Sequence, residues 1–360
     1  MPTMKRLLVA AVAVLTVVAL AAFAGRTQTA SATPAEPQQS GGSLVGTGAT
    51  FPFPLISKWI PAVDNALGIK VTYTATGSGA GIAQITARTV DFGASDAPLT
   101  PDQLTACRGC VVIPWALAGM SIMYNLPGLN GRLKLSGPVL ANIYLGTIKT
   151  WNAAAIRALN PGVNLPSSEI KVVYRSDGSG STYALTDYLS EVSPTWKSRV
   201  GKGTSVNFPT GQGARGSSGV AGVVRSTEGA ITYADAAYAI QNKIPFALIR
   251  NRAGGNASPG IRGVTKALCD VPDKVTNLSQ MKIVDPPSKC GKQAYPISTF
   301  TYVIVPTSSG DKAATLRKFI YWAVTAGQAP ALTKGTYFVT LPKNVNAFIY
   351  REIKKIQAGS

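Results

Sequence analysis

Arg175-Ser176-Asp177-Gly178-Ser179-Gly180-Ser181-Thr182 decides how this chain is read, because it joins a β-branched run to an amphipathic one and sets a cation and hydroxyls where they meet. Ile170 to Tyr174 (IKVVY) reads as a short buried strand. Ser179 to Glu191 reads as a helix, with Ala184, Leu185, Tyr188 and Leu189 at helical spacing. The first turn of a helix leaves backbone N–H groups unpaired and partly positive, so Gly180 and Ser181 can offer amides and a hydroxyl to an oxyanion. Arg175 adds a planar fork of donors that matches a tetrahedral anion. Taken alone, the stretch fits equally a plain cap at Ser179 with Arg175 in solvent.

The design recurs. Gly46-Thr47-Gly48-Ala49-Thr50-Phe51-Pro52 follows a short apolar stretch and opens a helix expected over 54–66, with Thr50 as its N-cap and Pro52 and Pro54 in the first turn. Thr76-Gly77-Ser78-Gly79-Ala80-Gly81 follows a strand expected over 69–75 and opens a helix over 81–88, again with a hydroxyl at the cap. In an open α/β sheet such junctions gather at the carboxyl ends of the strands, where ligands bind.

Four segments carry a resemblance. GTGATFP at 46–52, TGSGAG at 76–81, DFGASDAPLT at 91–100 and RSDGSGST at 175–182 are similar, in order and spacing, to the signature segments of the phosphate-binding proteins of bacterial phosphate ABC transporters. YLGTIKTWN at 144–152, LNPGVNLP at 159–166, GVAGVV at 219–224 and GAITYADAAYA at 229–239 extend the likeness over nearly all of the chain after its N-terminal segment. The resemblance implies an α/β, two-lobed periplasmic binding protein fold of type II with two hinge-crossing strands, near Met123 and near Thr301. Lobe one would comprise 43–122 and 303–360, and lobe two 123–302. It implies inorganic phosphate as ligand, no cofactor, and the membrane permease subunits of a phosphate ABC transporter as partners; a monomer is expected.

Carried over position by position, the resemblance assigns ligand contacts in lobe one to Thr50, the Phe51 main-chain amide, Ser78 and Asp96. In lobe two it assigns them to Arg175, Ser179, Gly180 and Ser181. Contacts split this way imply that ligand stabilises a closed state. Ser181 stands where the family commonly has threonine and keeps the hydroxyl. Gly79 stands where a second serine is common, and looser packing over the anion is expected there.

Asp96 sharpens the choice of anion. Phosphate at neutral pH retains a proton whose hydrogen bond a carboxylate can accept, whereas sulfate offers the same carboxylate only lone pairs and negative charge, so Asp96 would repel sulfate. An N-cap ahead of Ala97-Pro98 is the alternative role for Asp96. Asp177, two residues past Arg175, could pair with the guanidinium and fix its orientation, or could simply form a turn before Gly178.

Composition bounds the rest. At 360 residues and 46% hydrophobic, the chain is large enough for two cores. Lys5 and Arg6 precede an apolar run from Leu7 to Ala24, and small residues follow, so 1–32 reads as a secretory signal or, uncleaved, as an N-terminal anchor. No cysteine precedes Cys107, which argues against lipid attachment at the cleavage site. Residues 33–42 (TPAEPQQSGG) read as a flexible tether, and the mature protein is expected outside the cytoplasm. Four cysteines and no histidine in an exported chain favour disulfides over metal. Cys107 with Cys110 could close a tight loop, and Cys269 with Cys290 a longer one.

The formal charge is +19, and a cut after Ala32 would leave +16. The basic residues are scattered and not interleaved with aromatics, so an anionic ligand or surface is favoured and nucleic acid is not expected. Gly211-Gln212-Gly213-Ala214-Arg215-Gly216 fits GxGxxG without a clear strand before it and reads as a turn-forming loop. DGSGST lacks the Gly-Lys-Ser/Thr ending of a P-loop. With no histidine, Ser-His-Asp and Cys-His catalysis are ruled out. Capture without chemistry is the reading left; a secreted phosphate-ester hydrolase, a binder of another tetrahedral oxyanion, and a sensory or adhesive use of the fold are the alternatives.

Overall fold

The computed structural model describes residues 41–359; the expected signal segment and most of the tether lie outside them. The strands are β1 (Ser43–Gly48), β2 (Lys70–Thr74), β3 (Phe92–Ser95), β4 (Cys110–Tyr124), β5 (Lys134–Ser136), β6 (Lys171–Arg175), β7 (Gln212–Ala214), β8 (Ala230–Asp235), β9 (Leu248–Arg250), β10 (Asn256–Ala257) and β11 (Ser298–Pro306). The helices in the first half are α1 (Phe53–Leu67), α2 (Ser78–Thr86), α3 (Pro101–Ala106), α4 (Gly137–Tyr144), α5 (Ala154–Leu159) and α6 (Gly180–Val192). They continue as α7 (Pro194–Arg199), α8 (Gly216–Ser226), α9 (Ala236–Gln241), α10 (Ile261–Ala267), α11 (Ala313–Val324), α12 (Pro330–Thr333) and α13 (Asn346–Lys354).

Eight strands form one sheet in the order β2-β1-β3-β11-β4-β8-β6-β7, and β10-β9-β5 form a small second sheet. Two parallel wings, β2-β1-β3 and β8-β6-β7, are joined by the antiparallel pair β11 and β4. β4 changes partner along its length: Cys110 to Gly119 pairs with β11, and Met120 to Tyr124 pairs with β8. The architecture is a two-lobed α/β fold. Strands buried on both faces are mostly apolar, as in β8, which is buried along its whole length and carries Thr232 and Asp235 as its non-hydrophobic members. In the first wing Phe92, Trp115 and Phe319 pack tilted or edge-on with centroids 5.4–6.4 Å apart, and Trp59 meets Trp115 at 5.3 Å.

Several local expectations are corrected. β4 is one fifteen-residue strand where the sequence pattern predicts two, over 110–117 and 119–125. Pro114 is tolerated because the ladder with β11 already shifts register between Thr301 and Tyr302, leaving Trp115 as the extra residue of a bulge. Gly119 fits because any Cβ there would lie 2.6 Å from the Pro259 carbonyl oxygen. The strand expected over 245–249 is displaced to Leu248–Arg250. Gly41 and Gly42, placed in the tether, are already bound to the fold: Gly41 N donates to Gly68 O and Lys70 N to Gly42 O.

Both disulfides are present, with Cα–Cα separations of 5.6 Å for Cys107–Cys110 and 5.5 Å for Cys269–Cys290. Arg88 donates to the Cys107 carbonyl at 2.6 Å and so braces the first loop against α2.

Candidate functional site

The carboxyl ends of the two wings face each other, and each sends its chain into a helix whose N-terminus points at the same spot. α1 starts after Thr50-Phe51, α2 at Ser78, α6 at Gly180 and α8 at Gly216. Four helix N-termini aimed at one place bring their positive dipole ends together into a field that favours an anion, although the N–H groups of Gly79, Gly180, Gly216 and Ser217 already have partners within the protein.

The local chemistry of these junctions differs from the caps expected. The N-cap of α1 is Pro52, and the Thr50 hydroxyl instead reaches across the cleft to Ser217 Oγ at 2.8 Å. α2 begins three residues earlier than expected, at Ser78, with Gly77 as its cap at φ 105°. Ser78 Oγ takes N–H bonds from Gly180 at 3.0 Å and Asp96 at 3.3 Å, so the Gly180 amide is held by the opposite wing and would have to share its proton with an anion. α6 is capped by Ser179, whose Oγ accepts from Thr182 N at 3.2 Å. Gly79 is closely packed against the opposite wing: its N–H donates to Gly178 O at 2.8 Å, and a Cβ there would meet Gly178 Cα at 3.1 Å.

Arg175 is 5% exposed, which removes the reading of it as a solvated surface cation. Asp177 accepts from its Nε at 2.7 Å and from one terminal nitrogen, and the other terminal nitrogen donates to Ser217 Oγ at 3.3 Å. Burial pushes the Asp177 carboxyl up, but the Arg175 guanidinium and the Gly216 N–H outweigh it and hold the carboxyl below its ordinary range. The guanidinium is thereby fixed in plane. Behind it, Tyr233 hydroxyl accepts from Arg175 N at 3.1 Å and pairs with Thr182 Oγ1 at 2.7 Å.

Opposite this cation sits Asp96, 2% exposed, at the end of β3. It caps no helix: α3 starts at Pro101 under a Thr100–Gln103 capping box. Burial pushes the Asp96 carboxyl up to about 7, eased by neighbouring Thr301, by the Arg175 charge and by Ser78. Thr301 lies near without hydrogen-bond geometry, for Asp96 Oδ1 and Thr301 Oγ1 are both buried without a partner. Ser181 Oγ is a third such atom. Orphaned polar atoms are costly in a folded interior, and three around one charged pocket indicate groups held ready for something polar between them.

Phe51 anchors its segment by burying its ring edge-on against Phe338 at 5.7 Å, while its backbone enters the site beside Thr50. A cleft of about 640 Å³ lined by Thr50, Phe53, Thr76, Arg215 and Tyr238 adjoins the site at Thr50. The structure thus brings Thr50, Phe51, Ser78, Asp96, Arg175, Ser179, Gly180 and Ser181 to one place, with Asp177 behind Arg175.

Ser217 was missed. The GxGxxG stretch, expected as a loop, contains the edge strand β7, parallel to β6, and opens α8 directly. The glycines with a hydroxyl just beyond them were the available signal, the same strand-to-helix signature as at the other three junctions.

Gly180 packs tightly against the opposite wing. A Cβ there would lie 2.5 Å from Asp96 Cβ and 2.6 Å from Asp96 N. Gly180→Ala is therefore expected to push α6 off Asp96 and weaken anion binding about ten-fold, with the melting temperature of the ligand-free protein changed little; titration calorimetry beside a thermal melt checks both.

Residues 32–326 match the family model of the PBP superfamily domain. A phosphate-binding protein PstS of Xylella fastidiosa is 39% identical over 93% of this chain and 90% of its own. Another PstS, from Pasteurella multocida, is 38% identical over 88% of this chain and 89% of its own. Among solved structures, a putative phosphate ABC transporter substrate-binding protein from Clostridium perfringens with bound phosphate shares the fold at 17% identity. Its TM-score is 0.61, covering 83% of this chain and all of that one.

Proposed function

This chain belongs to the PstS phosphate-binding proteins of the PBP superfamily, and from that premise we propose that it captures one inorganic phosphate between its lobes and delivers it to an ABC-type import permease. The observation that carries the reading is a buried carboxylate, Asp96, facing a buried guanidinium and orphaned hydroxyls across a pocket ringed by helix N-termini. A site for any anion would omit the carboxylate. A site for an anion that brings its own proton uses it.

In this reading Thr50, the Phe51 amide, Ser78, Arg175, Ser179, Gly180 and Ser181 hold the phosphate oxygens. Asp96 accepts a hydrogen bond from the proton the ligand carries, and Asp177 orients Arg175. The lobe limits, 43–122 with 303–360 and 123–302, are part of the same proposal, and the change of partner along β4 at Gly119 and Met120 supports them. We read the protein as working outside the cytoplasm, which family membership and the two disulfides support, and as a monomer. We read the site as binding without catalysis, since the chain has no histidine to activate Ser179 or Ser181.

Titration calorimetry with phosphate, arsenate and sulfate tests this. One phosphate per chain is expected, with arsenate next and sulfate weaker by about a hundred-fold or more. Sulfate binding as tight as phosphate would sink the reading.

A further inference from the structure

Ser217 is the second residue of α8, fully buried, and its partners span the cleft. Its N–H donates to Thr50 Oγ1 at 3.2 Å, its Oγ pairs with Thr50 Oγ1 at 2.8 Å, and the same Oγ accepts from Arg175 at 3.3 Å. Thr50 is also held from its other end, where its carbonyl accepts from the Tyr238 hydroxyl at 3.0 Å. We propose that Ser217 is a positioning residue that latches Thr50 of the first wing to Arg175 of the second, and thereby sets how long phosphate stays bound. The proposal rests on the phosphate reading above.

A count of protons shows why a hydroxyl is suited to this position. Thr50 Oγ1 accepts one N–H from Ser217, and Ser217 Oγ accepts one from Arg175. If Thr50 donates to Ser217, the Ser217 proton remains; if Ser217 donates to Thr50, the Thr50 proton remains. Either way one O–H is left over, drawn from a pair that bridges the two wings. An anion between them can take that proton without breaking the bridge, so bound ligand and closed cleft reinforce each other. Alanine would keep the backbone N–H to Thr50 but remove the Oγ arm of the bridge and the alternative donor together, and leave one Arg175 N–H with no acceptor.

The latch requires no ligand, so it also raises the fraction of ligand-free protein that is closed, and apparent affinity scales with the binding-competent fraction. Release requires the bridge to break. Its loss should therefore appear mainly in the dissociation rate, with association governed by diffusion into the open cleft.

The experiment is a stopped-flow chase of phosphate from the native protein, Ser217→Ala and Tyr238→Phe. Ser217→Ala should release phosphate about ten-fold faster with an association rate within about two-fold of native. Tyr238→Phe removes a cross-cleft bond that does not involve Arg175 and should accelerate release by less. Ser217→Cys keeps the volume while weakening the hydrogen bonds, and it carries the same expectation should the alanine variant not fold. A release rate within about two-fold of native, or equal effects of Ser217→Ala and Tyr238→Phe, would overturn the latch. Failure of the native protein to bind phosphate would overturn the parent reading instead.

Discussion

Arg175→Ala is expected to weaken phosphate and arsenate alike by roughly 10²- to 10³-fold, since removing one side of a buried, charge-assisted donor set costs about 2–5 kcal/mol. The loss has two parts. The anion forfeits a planar cation at 5% exposure, and Asp177, left with the Gly216 N–H among its contacts, loses the charge that held its carboxyl ionised in a half-buried place. Lysine would not repair it, because a point charge cannot be held in plane by both oxygens of Asp177 while a third nitrogen reaches Ser217. Calorimetry on native, Arg175→Ala and Arg175→Lys proteins checks this. A loss smaller than about ten-fold in the alanine variant would mean that the helix N-termini carry the site without the guanidinium.

Asp96→Asn is expected to act on discrimination more than on affinity. An amide can donate where the carboxylate only accepts, so the preference for phosphate over sulfate should fall by about 10²-fold or more while phosphate binding falls less. The same variant carries a signature in stability. The Asp96 carboxyl is pushed up to about 7 by burial, above its ordinary value of 3.8. A group whose folded value is raised gives stability that is complete below about pH 4 and is lost as pH climbs through about 7, amounting to a few kcal/mol for a shift of this size. Ligand-free native protein should therefore lose stability over that window. Asparagine, neutral throughout, should flatten the slope and leave the variant the more stable near pH 7. Asp235, buried and raised in the same direction, keeps a residual slope in both proteins. Competition between phosphate and sulfate at several pH values, beside denaturant melts over the same range, reads both effects. Full selectivity retained in Asp96→Asn would end the proton-reading account.

What could be read from the sequence divides along the range of the interactions. The junction at Arg175 to Thr182 was legible because strand, cap and helix each have a local signature, and because the pattern recurred at Thr50 and Ser78. β7 was not legible, since three residues with two small members carry no alternation, and the strand exists through its pairing with β6. α2 opened early for a similar reason. Ser78-Gly79-Ala80-Gly81 has poor helix propensity, yet Gly81 must pack where a Cβ would lie 2.6 Å from Gly48 Cα, a contact between segments far apart in sequence. The unbroken β4 likewise depended on a bulge placed by β11, nearly two hundred residues downstream. Thr50 looked like a cap because a hydroxyl before two prolines usually is one; its true partner, Ser217, lies 167 residues away.

That dependence on β11 has a consequence for how the molecule comes into being. Ser298–Pro306 is inserted between β3 and β4, at the middle of the main sheet, although it is the last strand to be made. Until it is in place β3 and β4 each present a row of unpaired backbone groups, both on strands that are wholly or almost wholly apolar. A growing chain cannot complete its first wing by folding what has already been synthesised, however well formed the individual helices are. Assembly must wait for about five-sixths of the polypeptide, and the distant contacts needed then make the closing step slow. The intermediate with a gap at the centre of its sheet is the species exposed to wrong partners in the meantime, and it is there that a helper which keeps strand edges apart would have the greatest effect on yield.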